Sequence, residues 1–417
     1  MSDLTIKIFG IVAAVAATGL FLWVLVLGVC SGVRQFRAHR QWTLQKERKS
    51  TYEVALRSLC YVLGVKLVIM IVAQILYGQV NLFADARALW CRSDAPHYLS
   101  IAKNWYVTTG DDKVFIAFFP LYPIVLRIFA EITGEYFWTG SVISMACLTV
   151  AGVLLYRLAE MDHGSKAAGR TLKYFMLFPA IFFGFFPFSE SLFLMLAASV
   201  LYFLRKKNYL AAALLGALAS FTRSVGVLLM VPFAVQVAQD VFRKRIDWQF
   251  IKDLFRKGWS IFLVPVGTLG YLGINWAIYG SPFHFLAVQK EHWYQGIGTL
   301  PDTVRYTAEN IFRYEPAVGA SLFAPNLIVI FAFLAVMLLC VKRQRSMDTA
   351  YMVFLFYFSI SLTWLLSAPR YMLVMFPCFI EMGRRVQSKA GDWILTAVLA
   401  VSLLCFSAAF AGGCSIY

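Results

Sequence analysis

The sequence predicts an all-α, polytopic membrane protein, and three observations carry that prediction. Of its 417 residues 60% are hydrophobic and only 14% are charged, against about 25% charged in a soluble protein. Apolar runs approaching the roughly 20 residues needed to cross a bilayer recur along the whole length. Lys and Arg gather in the short loops between them. A membrane β-barrel would show short alternating segments instead. The excess of 38 basic over 22 acidic residues, a net charge of +16, therefore reads as a topology signal. No basic stripe on a soluble unit is there to bind nucleic acid.

The first apolar run, Ile8 to Cys30, is too long for the core of a signal peptide and reads as a retained anchor. A basic stretch follows it, with Arg34, Arg37, Arg40, Lys46, Arg48 and Lys49. Such a run belongs in the cytoplasm, so the N-terminus lies outside. A second span, Ser58 to Val80, returns the chain outside and delivers a long polar segment there. Further spans are expected over 137–158, 172–187, 190–204, 209–225, 227–242, 258–279, 322–341, 348–366, 371–386 and 391–411. With these about twelve spans, every strongly basic cluster falls on the inner side, as the positive-inside rule demands. Residues 118–133 are apolar but hold Pro120, Pro123, Arg127 and Glu131, which fits a helix lying in the interface better than a span. No internal repeat or linker divides the chain. The first 57 residues form an N-terminal extra helix with its basic loop, and 58–417 form the membrane unit proper.

The eight cysteines, at 30, 60, 91, 147, 340, 378, 405 and 414, include no CxxC pair. They make neither a zinc motif nor a disulfide framework. Cys91 and Cys414 fall on the same expected side, which leaves a bridge open.

Polar chemistry concentrates on the outer side, above all in 86–126. Asp94, in RSDAPHYL, stands just before an amphipathic stretch whose Tyr98, Ile101, Ala102 and Trp105 share one helical face, placed here on the lipid. The aspartate has two readings. One is an N-cap, supported by Pro96 just inside the helix. The other is a carboxylate held at the membrane surface for chemistry. His97 reads either as a substrate or metal contact or as a structural hydrogen-bonder. Asp111 and Asp112, beside Gly110, read as turn residues, because no ligand spacing supports a metal there. Glu190, in FPFSESLF, sits at the membrane edge, where an ionisable residue is costly and marks function. Against that stands a plain helix start, with Ser189 as cap and Glu in the first turn. Arg223 in FTRSVG and Arg370 with Tyr371 in APRYMLV are basic residues on a side that has few. Guanidinium grips phosphate in a bidentate fork, which suits an anionic lipid headgroup. Snorkelling to ordinary lipid phosphate is the alternative. His292, in VQKEHWYQG of the second long outer segment, completes the substrate-binding candidates, beside Trp293 and Tyr294 of an expected aromatic belt.

These motifs resemble a known family. DAPHYLSIAKNWY, AFFPLYP, FPFSESLF, ALLGALASFTRSVG and PRYM occur in the order found in the PIG-V-like mannosyltransferases, over about residues 85–380. The departures are Ser93, where that family commonly has Trp, and the first span, which looks like an addition. The resemblance implies a GT-C glycosyltransferase fold and a polyprenyl-phosphate sugar donor, mannose by default. It also implies a lipid or glycan acceptor and a base at Asp94. The mechanism it implies is a single inverting displacement on the outer face of the membrane. It names no certain cofactor and leaves a divalent metal open. The compact chain without a retention signal points to a bacterial cytoplasmic membrane. A transporter or flippase of lipid-linked sugars, or a GT-C relative with another sugar and a protein or lipid acceptor, is the rival expectation.

Overall fold

The structure, a computed structural model, describes residues 2–38, 49–78, 82–241 and 248–414, without the side chains of 82–84. Basic residues 40, 46 and 48 of the first loop, and 243–245, lie outside the described residues. The described residues are helical, with one isolated bridge between Ile297 and Leu362 and no strand.

The chain opens with two long helices, α1 (Asp3–Arg37) and α2 (Thr51–Tyr77), and then runs through α3 (Leu82–Trp90), α4 (Ala95–Asn104) and α5 (Leu121–Thr133). The hub is α6 (Tyr136–Met176), against which α2, α5, α7 (Glu190–Arg205) and the later α18 (Phe376–Arg385) pack. Next come α8 (Tyr209–Thr222), α9 (Met230–Val241), α10 (Trp248–Gly258), α11 (Val266–Tyr279), α12 (His284–Glu291) and α13 (Leu300–Arg313). One turn, α14 (Pro316–Val318), and a π-helical turn lead into α15 (Ala324–Cys340). The chain then forms α16 (Ser346–Ile360), α17 (Ala368–Met372), α18 (Phe376–Arg385) and α19 (Lys389–Ala411). The N-terminal α1 is built into the bundle: its small residues Gly10, Ala13, Ala14 and Ala17 are buried, and it packs along α13, α15 and α16. All eight cysteines are free.

Among the described residues, seven helices are long and apolar enough to cross a membrane, within Asp3–Arg37, Thr51–Tyr77, Tyr136–Met176, Ser224–Val241, Trp248–Tyr279, Pro316–Cys340 and Lys389–Ala411. The 3-10 turn Asp111–Ala117 and α5 meet at 118°, so the chain turns sharply just before α5 instead of continuing a straight path.

Several stretches expected as straight spans are broken, the 209–225 run at Arg223 among them. The 172–187 run is helical to Met176, stops at Phe178–Pro179, and continues as a 3-10 turn over Ile181–Phe185. Pro179 lacks the N–H that a continuing helix needs. The 348–366 run unwinds after Ile360, and 371–386 is split between α17 and α18, with Pro377 in the first turn of the latter. Backbone freed in this way inside a membrane must find partners within the protein. The Phe185 carbonyl does so: it accepts from Ser141 Oγ at 2.6 Å and from the buried Lys66 Nζ at 3.4 Å. Gly164, at φ +77°, puts a further break in α6 in a conformation that favours glycine.

Two charged clusters mark opposite ends of α7. At its C-terminal end, buried Arg205 bonds Asp162 Oδ2 at 2.7 Å and Asp348 Oδ2 at 2.6 Å, and Arg345 bonds Asp162 Oδ1 at 2.7 Å. This cluster ties α6, α7 and α16 together. Each of its carboxylates faces a guanidinium, as buried charges must to offset the cost of leaving water. The second cluster forms the site.

Candidate functional site

Asp94 is the N-cap of α4, yet its side chain makes no capping bond. Instead Oδ2 accepts from Arg370 Nη2. The preceding Ser93 takes φ +54°, a left-handed conformation uncommon outside glycine, and its hydroxyl stands 3.5 Å from Asp94 Oδ1. The aspartate side chain is 23% exposed, so one carboxylate oxygen is engaged by arginine while the group still meets the outside. Pro96 and the buried residues Tyr98, Ile101 and Ala102 fix the helix behind it. That face packs on protein, not on lipid as the periodicity suggested. The reason is the local partners: Ile101 clusters with Tyr106 and Ile116, and Tyr98 packs edge-on against Phe118 and Tyr122.

Glu190 opens α7 and is buried. Its Oε1 accepts from both Arg370 Nε and Arg223 Nη1, while Oε2 is buried with no partner among the described residues. Ser189, at the N-cap, likewise does not cap. Its hydroxyl lies 2.7 Å from Tyr98 Oη and accepts from Arg223 Nη1 at 3.3 Å. The plain helix-start reading of Ser189–Glu190 therefore fails at the side chains, which turn inward to the arginines. Glu190 follows the 3-10 turn Ile181–Phe185 and Arg370 follows the stretch unwound after Ile360, so each side chain stands just past a break in the helical path.

The two arginines are not equivalent. Arg370 is 7% exposed at its side chain, bridges Asp94 and Glu190, and lies over the rings of Phe183 and Phe188 at 4.9 and 5.3 Å. Aromatic faces stabilise a guanidinium withdrawn from water. Arg223, at the C-cap of α8, is 22% exposed. Among the described residues it makes no side-chain bonds beyond those of Nη1 to Glu190 and Ser189, so the rest of its fork is open. Tyr371 follows Arg370 in α17, within electrostatic reach of Arg370, Arg223 and Asp94.

His97 belongs to a neighbouring aromatic nest. Its ring packs on Phe115 at 4.5 Å, Phe118 at 5.1 Å and Trp293 at 5.6 Å. His292 packs at a right angle to Trp293, with ring centroids 5.1 Å apart, and is exposed. His97 Nδ1 and Trp293 Nε1 are both buried without a partner among the described residues. Asp111 and Asp112 open the 3-10 turn that follows Gly110; Asp112 also accepts from Ser100 Oγ, while Asp111 is exposed. No group of three or more His, Cys, Asp or Glu stands ready to hold a metal ion among the described residues.

Burial pushes the His97 pKa below its usual 6.5, against the opposing pull of Asp94 and Asp112. The folded protein thus binds this proton less readily than the unfolded chain, and the protein loses stability as pH falls through the ordinary histidine range. Thermal unfolding midpoints should therefore drop on acidification from about pH 7.5 to about pH 5.5. His97→Asn should flatten that dependence, and an unchanged slope in the variant would remove His97 from the account.

Local pattern singled out Asp94, Glu190, Arg223 and Arg370, and the structure joins all four in one network. Tyr371 sits beside it, and His97 and His292 lie in the adjoining nest. Sequence reasoning passed over Ser189, Tyr98 and Trp293 as site components. Ser189 adjoins Glu190 and Tyr98 stands one helical turn after Asp94, which was the available signal. No family model, curated protein or solved structure matches the chain.

Proposed function

We propose that the protein is an integral membrane glycosyltransferase, moving a sugar from a polyprenyl-phosphate donor to a lipid-linked or glycan acceptor. On this reading the chain is a GT-C enzyme of the PIG-V-like kind. Its about twelve passes include the broken and short ones, and the site faces the outer side of a bacterial cytoplasmic membrane. One observation carries the proposal: a partly exposed carboxylate, Asp94, held by a buried arginine beside a second arginine with open donors. That is the donor set an inverting transfer from a lipid phosphate requires.

In the proposed step, Asp94 Oδ1 takes the proton of the acceptor hydroxyl, whose oxygen attacks the anomeric carbon. The bond from that carbon to the phosphate oxygen breaks, and the polyprenyl phosphate leaves with the electron pair. Arg370 fixes Asp94 through Oδ2 and supplies positive charge nearby. Arg223 is better placed for the leaving phosphate than Arg370, whose fork is spent on two carboxylates. His97 Nδ1 and Trp293 Nε1, as unpaired buried polar atoms, suit hydroxyl groups of a sugar.

The test is transfer of label from a panel of polyprenyl-phosphate sugars to membrane extracts. Transfer from one donor names the sugar, and none from any donor by the folded protein sinks the enzyme reading. Arg223→Ala should weaken donor binding by about 10–100-fold, as expected for loss of a charged phosphate contact, with the acceptor KM little changed. Equal effects on both substrates would remove Arg223 from the phosphate site.

A transporter of lipid-linked sugars is the second reading, and one observation favours it. Two broken helical segments, around Phe178–Ser189 and Ser361–Ser367, run into the charged cluster, as discontinuous helices do at transport sites. Specific lipid binding without transfer in the same panel would favour it.

A further inference from the structure

A second site lies at the other end of α2 from Asp94. Between the first turns of α2, the stretch of α6 around Gly164 and the start of α19 there is a shallow cavity of about 520 Å³, open to the outside of the bundle and within the size range of small-molecule sites. Lys49, Arg57, Lys166, Arg170 and Lys173 line it, with Asp392 as the one acidic lining residue among the described residues. Two of the cations are satisfied within the protein: Lys49 pairs with Glu53, and Lys173 with Asp392 at 2.6 Å. Arg170 uses its Nε on the Gly383 carbonyl at 2.8 Å. Arg57 and Lys166 have no hydrogen bond or ion pair among the described residues, and both are exposed.

The positive-inside rule explains why basic residues occupy this end of the bundle. It does not explain their convergence on one cavity, because like charges free to choose point apart into solvent. Gly169 contributes to the convergence: a Cβ there would stand 3.0 Å from Arg57 Nη1, so the bare backbone lets the guanidinium lie against α6. The floor is aromatic, with Tyr61 and Tyr156. Both shoulders are apolar and outward-facing: Leu56, Leu59 and Leu63 on α2, and Trp393 and Ile394 on α19, are exposed. A tryptophan beside a cationic cavity is the arrangement expected at the level of lipid headgroups, and basic pockets between helices on the cytoplasmic side take anionic headgroups.

We propose that this cavity is a binding site for the phosphate headgroup of an anionic phospholipid, gripped by Arg57, Arg170 and Lys166, with the acyl chains lying on the apolar shoulders. The site is independent of the chemistry assigned to Asp94. The full chain, reconstituted in phosphatidylcholine nanodiscs with graded phosphatidylglycerol of matched acyl chains, is released and its retained lipids are counted by native mass spectrometry. Wild type should retain phosphatidylglycerol in preference to phosphatidylcholine, and Arg57→Gln/Lys166→Gln should weaken that retention by at least about tenfold. Lys206→Gln/Lys342→Gln, which removes charge elsewhere at the same end, should retain it as wild type does. Equal retention by wild type and Arg57→Gln/Lys166→Gln, or equal loss in both double variants, overturns the site. Displacement of the lipid by millimolar inorganic phosphate or glycerol phosphate would overturn the lipid assignment in favour of a soluble phosphate. Unfolding midpoints in pure phosphatidylcholine check the fold, and the single exposed change Lys166→Glu serves if the double variant does not insert.

Discussion

Asp94→Asn should lower sugar transfer by about 10²–10⁴-fold, the usual worth of a general base, while the protein inserts and unfolds nearly as wild type. The substitution is isosteric, and Asn Oδ1 can still accept from Arg370, so the position of the side chain is preserved. What is lost is the ability to take a proton from the acceptor hydroxyl. Asp94 is also the least buried member of the network, with 23% of its side chain exposed against 4% for Glu190, so its removal uncovers little. The effect should fall on kcat, since the proton moves only as the transition state forms. A rate within a few-fold of wild type would remove Asp94 from the role of base. A fall in kcat matched by a similar fall in thermal stability would recast it as a structural partner of Arg370.

The membrane class and the four members of the charged cluster were legible because both depend on one-dimensional signals. Apolar run length reports a bilayer, and an ionisable residue at the end of such a run is expensive enough to stand out. Asp94, Glu190, Arg223 and Arg370 were each found in this way, and the alternation of basic loops placed them on one side. Their pairing was not legible. Arg370 and Asp94 are 276 positions apart, and Arg370 and Glu190 are 180 apart, so no local pattern records which carboxylate meets which guanidinium. The breaks at Pro179 and after Ile360 escaped for a different reason. Hydropathy averages over a window, and Phe, Leu and Ile continue through a break while the helix hydrogen bonds do not. Arg205 shows the limit of counting charge. It opens the basic run Arg205-Lys206-Lys207, one of the clusters expected on the inner side, yet it turns back into the bundle to meet Asp162 and Asp348. The amphipathic face of α4 was found, but periodicity gives a buried face without saying whether lipid or protein covers it.

Glu190→Ala should destabilise the fold by about 3–5 kcal/mol, the cost of removing one partner from a buried ion pair. Glu190 Oε1 is the shared acceptor of Arg370 and Arg223, so its loss leaves two neighbouring guanidiniums with Asp94 as the remaining counter-charge. Repulsion between them then adds to the desolvation that Glu190 had offset. Glu190→Gln keeps the volume and an acceptor oxygen, and should fall between wild type and Ala in thermal unfolding midpoint. A double variant, Glu190→Leu/Arg223→Leu, should recover part of the loss, because removing an acid and a base together leaves no uncompensated charge at that pair. If the double variant instead loses the sum of the two single changes, the pair is not coupled. If Glu190→Ala unfolds at the wild-type midpoint, the network does not hold the bundle. The contrast with Asp94 is the sharper test: the same cluster should yield a variant that loses turnover with its fold intact and another that loses the fold itself. Such a split is expected only where a buried carboxylate holds the arginines in place and a partly exposed one faces the substrate.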